Sequence, residues 1–363
     1  MMKNEKPVIG ISIGDPAGIG PEICVKVLVK KTVREKMIPV VYADRIVLET
    51  ALGITGAKLR LHPVNEPGDA LDEPGTVNFI GTGSITHLGD YAIGETGKKS
   101  GGAAFAYVVR AIDDAIAKKI AAVVTCPISK EAINLAGHQF AGHTEIFAHY
   151  TKTREYGMLL SANNGGAGDN ARSLNVIHVT THVSLRRACE LVTAELVYKT
   201  ICLADRALDL MGSKTKRIAV AGLNPHSSEN GLFGNEEEQS IIPAVNKAKA
   251  EGMDVTGPLP PDTVFVKTLG GRFDIAVAMY HDQGHIPLKL CGFTMAGSGG
   301  NLSAVRGVNA TIGLPIIRTS VDHGTAFDIA GKNLANEESL LDAIDMAITF
   351  VRNFHENPPN SYS

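Results

Sequence analysis

Short apolar runs alternate with longer amphipathic stretches along this chain. Runs of four to eight apolar, β-branched-rich residues bounded by polar or Gly/Pro positions are typical of buried strands. Such runs occupy 7–13, 38–43, 121–125 and 310–317. Stretches with helical patterning or helix-start signals occupy 21–30, 101–118, 129–136, 184–207, 235–251 and 337–353. The alternation predicts an α/β protein whose mostly parallel sheet carries helices on both faces.

Three further apolar runs each end on a histidine. They cover 176–182, 218–226 and 275–281, and they end on His182, His226 and His281. Side chains that follow the carboxyl ends of parallel strands lie at one edge of the sheet. Because imidazole is the commonest metal ligand, the pattern predicts a three-histidine divalent-metal site with open coordination positions. The alternative is three ordinary surface or hydrogen-bonded histidines, and spacing alone does not decide.

Composition narrows the class of protein. The 363 residues, 44% of them hydrophobic and 20% charged, suit two domains or one large α/β unit. A net charge of −3 argues against nucleic-acid or membrane-surface binding. Five scattered cysteines without a C-x-x-C pair indicate neither a disulfide framework nor a thiolate zinc site. With no signal-peptide pattern and no long apolar run, we expect a cytoplasmic protein with no membrane span.

Several polar segments carry candidate chemistry. Residues 14–22 form a Gly-rich turn between a strand and a helix, which is either an anion-binding turn or a structural one, and it matches neither G-x-G-x-x-G nor the P-loop. His143 at a helix start is a candidate donor to a substrate oxygen, or else a solvated neighbour of a capping Thr144. The glycine-rich segment 292–307 is a lid or a tolerated surface insertion.

Cationic groups and one further loop complete these candidates. Lys289 is the last residue of the dense polar stretch 280–289 and would pair with a phosphate or carboxylate. Asn309 and Arg318 flank the strand predicted over 310–317, where the arginine would clamp an anion or form a salt bridge. The loop 320–332 has a composition that suits adenosine binding, with Asp328 accepting from sugar hydroxyls.

Five of these segments together resemble one enzyme family. They are Gly-Asp-Pro-Ala-Gly-Ile-Gly-Pro-Glu, Gly-His-Thr-Glu, Leu-Asn-Pro-His, Tyr-His-Asp-Gln-Gly and Arg-Thr-Ser-Val-Asp-His-Gly-Thr-Ala-Phe-Asp, in that order between residues 8 and 350. The set is similar to the 4-hydroxythreonine-4-phosphate dehydrogenase family. The first and last segments also resemble the isocitrate and isopropylmalate dehydrogenases.

The resemblance implies two α/β domains around a cleft, as in those dehydrogenases. Residues 1–130 and 309–363 would form the NAD side, and 131–308 the metal and dimer side, with active sites shared across a homodimer. His182, His226 and His281 would hold one divalent ion: Zn, Mg, Mn, Co or Ni. The implied substrate-binding residues are His143, Thr144, Lys289, Asn309 and Arg318. The implied NAD-binding residues are Asp322, His323, Gly324 and Asp328, and the candidate proton carriers are Lys130 and Asp262.

The implied reaction is an NAD-dependent oxidation of a 4-phosphorylated 3-hydroxy acid followed by loss of carbon dioxide, with the ion assisting both steps. The 19 residues between Lys289 and Asn309, and His285, depart from the vitamin B6 enzyme and resemble the branch acting on 4-phosphorylated threonate or erythronate in sugar-acid catabolism. Two alternatives remain: a dihydrodiol carboxylate dehydrogenase of the same superfamily, and a non-catalytic NAD- or metal-binding sensor.

Overall fold

A computed structural model describes residues 6–163, 172–296 and 301–356 of the chain. Contacts divide it into two compact units, Met1–Arg154 with Leu314–Val351, and Glu155–Gly313 with Arg352–Ser363. The predicted boundaries lay near residues 130 and 308, so the segment 131–154 belongs to the first unit rather than the second. The α/β class is confirmed.

The first unit is built on a parallel sheet. Its strands are β1 (Val8–Ser12), β2 (Ile38–Tyr42), β3 (Arg60–Pro63), β4 (Thr76–Ile80), β5 (Ala122–Thr125) and β14 (Arg318–Val321), in the order β3-β4-β2-β1-β5-β14. Its helices are α1 (Gly20–Val29), α2 (Lys31–Lys36), α3 (Arg45–Thr55), α4 (Lys98–Ile116), α5 (Lys130–Leu135), α6 (His143–Tyr150) and most of α12 (Glu338–Glu356). The central strands are almost wholly buried, as β-branched runs in a sheet covered on both faces should be.

The second unit has a mixed sheet. Its strands are β6 (Gly157–Asn163), β7 (Ser173–His178), β8 (Ile218–Ala221), β9 (Val255–Leu259), β10 (Ile275–Ala278) and β13 (Val308–Ile312), in the order β13-β6-β7-β10-β8-β9. The pairs β13–β6 and β6–β7 are antiparallel, whereas β7, β10, β8 and β9 run parallel. A separate hairpin pairs β11 (Phe293–Ala296) with β12 (Asn301–Val305), so the described part of the segment 292–307 is largely strand.

Four helices of the second unit contact this sheet. They are α8 (Ala194–Met211), α9 (Ile242–Ala250), α10 (Pro261–Leu269) and α11 (His281–Gly292), and the short helix α7 (Leu185–Leu191) precedes α8. Apolar residues of β6, β7, β8 and β10 pack with α10 and α11 into one core, which includes Val176, Ala276, Phe265 and Leu288. No helix within the described ranges is both long enough and apolar enough to cross a membrane.

Two predicted helices are wrong in their extent. The helix predicted over 184–207 is two helices, because Val192 leaves the helical conformation and the Thr193 hydroxyl caps α8 by accepting from Leu196 N–H. The helix over 235–251 begins as a π-turn, Glu237–Ile241, and becomes α-helical only at α9, where Pro243 lacks an amide to donate.

The strand predicted over 310–317 is also wrong. It is divided into β13 and β14 by a turn at Gly313, whose φ of 103° disfavours other residues. Asn309 and Arg318 therefore lie within strands instead of flanking one.

Candidate functional site

In the second unit, three neighbouring parallel strands bring the predicted histidines to one edge of the sheet. β7, β10 and β8 are adjacent, and their carboxyl ends lead to His182, His281 and His226. His281 is the first residue of α11, whereas His182 and His226 lie on exposed turns beyond their strands. Parallel alignment of the strands explains why residues so far apart in sequence share this edge.

At this edge the rings of His182 and His281 lie near each other, whereas no ring contact joins the His226 ring to either of them in the described structure. The rings of His182 and His281 lie 5.9 Å apart, and His285 stacks on His281 at 3.6 Å. His226 is nearest, among rings, to Phe233 at 6.2 Å. Within the described ranges, no group of three or more His, Cys, Asp or Glu side chains is arranged to hold a metal ion. The donor type and the shared edge fit such an ion, and the three-ligand set stays a prediction.

His178 is the last residue of β7 and borders the cluster. Its ring lies 4.7 Å from that of His285, and both of its nitrogens are buried without a hydrogen-bond partner in the described structure. Burial, together with the neighbouring imidazoles, lowers the pKa of His178 to about 3, so the ring is neutral. A side chain at Gly284 would overlap its Nε2, which explains the glycine in the Asp-Gln-Gly motif.

In the first unit, the buried Arg318 acts through its charge on the half-buried His143. The Arg318 side chain on β14 is 3% exposed, donates from Nη2 to Thr125 Oγ1 at 3.0 Å, and lies 5.6 Å from the Phe147 ring. Burial lowers the pKa of its guanidinium to about 9, so the group still carries a positive charge at neutral pH.

His143 supplies a neutral group beside that charge. It is the first residue of α6, and its Nε2 is buried without a hydrogen-bond partner in the described structure. Burial, and then the positive charge of Arg318, lower its pKa well below the usual range. Thr144 is the second residue of this helix and Gly142 is at its N-cap, so Thr144 is not the cap of the alternative interpretation. A buried cation, an unsatisfied imidazole and a helix N-terminus together suit an anion.

The remaining predicted site residues are divided between the units. Lys130 is exposed at the start of α5, and a side chain at Gly142 would lie 3.7 Å from its Cε, so it borders the segment that carries His143. Asp262 is exposed in the first turn of α10, in the second unit. Lys289 on α11 and Asn309 on β13 are both half-buried, also in the second unit.

The predicted NAD loop packs against the Gly-rich turn 14–22 in the first unit. Thr325 O accepts from Ile19 N–H at 3.0 Å, and Gly331 N–H donates to Glu22. Ala17 and Gly18 donate to Asp15. Because these amides are already bonded within the protein, the turn is structural rather than an open anion site.

The four residues predicted to bind NAD lie on that same loop. Asp322 and His323 are half-buried, and Gly324 and Asp328 are exposed. The Lys332 ammonium donates to the Asp328 carbonyl oxygen, and Asp328 itself is exposed. The exposed carboxylate suits sugar hydroxyls, and NAD binding stays a prediction.

Comparisons with a family model and with individual relatives identify the same family. Residues 35–347 match the family model described as pyridoxal phosphate biosynthetic protein PdxA. The D-threonate 4-phosphate dehydrogenase of Cupriavidus necator is 45% identical over 94% of this chain and 97% of its own length. The 4-hydroxythreonine-4-phosphate dehydrogenase of Desulfosudis oleivorans is also 45% identical, over 95% and 96%.

Solved structures agree with this match. The 4-hydroxythreonine-4-phosphate dehydrogenase of Klebsiella pneumoniae is 42% identical with a TM-score of 0.80, covering 95% of this chain and 100% of its own. A terephthalate 1,2-cis-dihydrodiol dehydrogenase from Burkholderia xenovorans is 32% identical with a TM-score of 0.63, covering 95% and 98%. All four of these proteins are named as dehydrogenases.

Proposed function

The chain belongs to the PdxA family, and from that premise we propose that it is an NAD-dependent, divalent-metal-requiring dehydrogenase that oxidatively decarboxylates a 4-phosphorylated 3-hydroxy acid. D-Threonate 4-phosphate is the first substrate to test, because a relative named for it is 45% identical over nearly the whole chain. D-Erythronate 4-phosphate and 4-hydroxythreonine 4-phosphate are the comparison substrates, the latter because a second relative carries its name at equal identity.

The buried Arg318 guanidinium, beside a half-buried His143 whose Nε2 is buried, is the observation that carries this proposal. A phosphate monoester is a dianion with several acceptor oxygens, so it would compensate the desolvated guanidinium. His143, neutral and with Nε2 unsatisfied, would donate one further hydrogen bond. The family resemblance assigns Thr144, Lys289 and Asn309 to the same substrate.

The chemistry of the reacting end is assigned to the histidine edge of the second unit. A divalent ion bound there would polarise the substrate hydroxyl, and NAD would accept the hydride. His182, His226 and His281 would hold the ion. Asp322, His323, Gly324 and Asp328 would bind NAD. For proton transfer we propose Lys130 ahead of Asp262, because the Lys130 side chain borders the segment that carries His143.

We also propose that the protein is a homodimer joined through its second unit. On α11, Ile286 and Leu290 are 59% and 80% exposed and lie four residues apart, on the same face of the helix. Large apolar side chains so exposed are typical of an interface that the single chain leaves uncovered.

The deciding experiment follows NADH formation with the three phosphorylated acids, before and after metal removal with a chelator. We expect turnover of D-threonate 4-phosphate that the chelator abolishes and an added divalent ion restores. Equal turnover without metal would contradict the assigned chemistry. Binding of NAD and metal without turnover of any of the acids would indicate a sensor.

A second candidate follows from the dihydrodiol dehydrogenase likeness. If the substrate is a cyclic dihydrodiol carboxylate, Arg318 and Lys289 would bind a carboxylate instead of a phosphate. Inorganic phosphate and phosphonates should then inhibit weakly. Strong competitive inhibition by both anions favours the phosphorylated substrate.

A further inference from the structure

The turn 325–331, which lies in the loop predicted to bind NAD, is held at both ends by one sequence motif. At its start, the backbone N–H of Ile19 donates to Thr325 O at 3.0 Å. At its end, Gly331 N–H donates to Oε1 of Glu22, whose side chain lies in the first turn of α1 and is 1% exposed. Ile19 and Glu22 both belong to the Gly-Ile-Gly-Pro-Glu sequence, to which the proposed function gives no role.

The turn also has a backbone that depends on these anchors. Ala326 has a φ of 44°, in the left-handed region that residues with a side chain disfavour. Such a conformation persists only where the surrounding structure imposes it. A Cβ at Gly18 would lie 2.9 Å from the carbonyl oxygen of Thr325, so the motif and the start of the turn pack backbone against backbone. Loss of either anchor should therefore let the turn relax.

The anchored turn presents one side chain to solvent. All of 325–331 is described, and within it Asp328 alone is exposed. Ile329 N–H donates to Ala326 O at 3.1 Å, and the Lys332 ammonium donates to Asp328 O at 2.6 Å, so the backbone on both sides of Asp328 is bonded. A carboxylate held at such a loop is the group that dinucleotide-binding proteins use to accept from ribose hydroxyls. The donor set of the turn therefore fits the sugar of NAD.

We infer that Glu22 is a positioning residue for the dinucleotide, which holds the turn 325–331 in the conformation that presents Asp328 to the ribose hydroxyls of NAD. The inference rests on the NAD loop of the proposed function and needs no metal ion. Because Glu22 is 1% exposed, it is assigned no contact with NAD. Its Oε2 is buried without a hydrogen-bond partner in the described structure, so the bond from Gly331 is the contact through which Glu22 acts.

The test measures NAD affinity directly in the full-length protein. Glu22→Met keeps the length of the side chain and removes the acceptor of the Gly331 N–H. We expect NAD to bind about 5- to 100-fold more weakly by calorimetry, as the loss of a buried hydrogen bond to a charged group implies. Glu22→Gln keeps an acceptor oxygen and should retain most of the affinity. Unchanged NAD affinity in Glu22→Met, or no recovery in Glu22→Gln, would overturn the inference.

Glu337→Met is the matched control. Glu337 is a half-buried carboxylate of the same unit, and it pairs with Lys30 at 2.9 Å, directly after α1 and outside the turn. This variant should bind NAD as the unaltered protein does. Equal weakening by Glu337→Met and Glu22→Met would show a general effect of disturbing α1 and would overturn the inference.

A double-mutant cycle separates positioning from general destabilisation. If Glu22 acts through Asp328, the affinity loss caused by Glu22→Met should shrink when Asp328→Asn is already present. Equal losses in both backgrounds would overturn the inference. Should Glu22→Met fail to fold, Gly18→Ala tests the other anchor, because its methyl group would displace Thr325. Its loss should shrink in the Asp328→Asn background too.

Failure of the proposed function has a different signature. If the unaltered protein binds no NAD, or if Asp328→Asn binds it as well as the unaltered protein does, the NAD loop is wrong and the inference falls with it. If Asp328→Asn weakens NAD binding but Glu22→Met does not, the NAD loop stands and only the positioning role is overturned.

Discussion

At the scale of single residues, burial sets the protonation of His143. Its folded-state pKa is lowered by desolvation and by Arg318, whereas an unfolded histidine titrates near about 6.5. The unfolded chain therefore binds more protons below that pH, and stability is lost as pH falls through about 6.5 toward the folded-state pKa. We expect His143→Gln to reduce the slope of unfolding free energy between pH 6.5 and 5 by up to about 1.4 kcal/mol per pH unit.

Denaturant titrations over this pH range would measure that slope. His149→Gln is the control, because His149 is an exposed histidine on the same helix, α6. An unchanged slope in His143→Gln would mean that His143 is protonated alike in the folded and unfolded states.

Arg318 gives the second prediction at this scale. Removing a buried, charged donor from a bound phosphate costs roughly 2–4 kcal/mol, so Arg318→Met should lower kcat/KM about 30- to 1,000-fold for the phosphorylated acid. Arg318→Lys should recover only part of this, because an ammonium lacks the planar fork of the guanidinium. Steady-state kinetics checks both, with the exposed Arg154→Met as the control. Equal activity in Arg318→Met would place the phosphate elsewhere.

At the scale of elements, the sequence predicted which segments are helices better than where they end. The predicted helix over 184–207 is divided into α7, which buries Ala188 alone, and α8, which buries a row of apolar residues. The break lies where Val192 leaves the helical conformation and the Thr193 hydroxyl accepts from Leu196 N–H at 3.3 Å, which periodicity does not record. The predicted strand over 310–317 failed for a similar reason, since the turn at Gly313 lies inside one apolar run.

The cap on α8 can be tested on its own. Thr193→Ala should lower the unfolding free energy by about 1 kcal/mol, because it leaves an amide of the first turn without its acceptor. Thr193→Ser keeps the hydroxyl and should retain most of the stability. Urea denaturation measures both variants. If the alanine and serine variants lose the same amount, the contact with Leu196 does not stabilise the helix.

At the scale of the whole molecule, chain order and strand ends were sufficient to place the three histidines on one edge. They were not sufficient to predict which buried side chains form hydrogen bonds with the segments that precede His226 and His281. Glu237 and Gln283 form buried hydrogen bonds to backbone groups of other segments, which sequence spacing does not encode. In the sequence, Glu237 lies near the start of the helix predicted over 235–251, and Gln283 lies in the Tyr-His-Asp-Gln-Gly motif. Only the fold shows that both converge on the segment 222–224.

Whether the protein associates with a second copy of itself is also a question at the scale of the whole molecule. If α11 lies in a dimer interface, Ile286→Lys combined with Leu290→Lys would bury two charges there and weaken association by at least about 2 kcal/mol, roughly 30-fold in dissociation constant. Sedimentation velocity across a concentration series would show the shift toward monomer. Leu88→Lys is the control, because Leu88 is 68% exposed but lies in the first unit. Dissociation by Leu88→Lys, with the α11 variant still dimeric, would move the interface to the first unit.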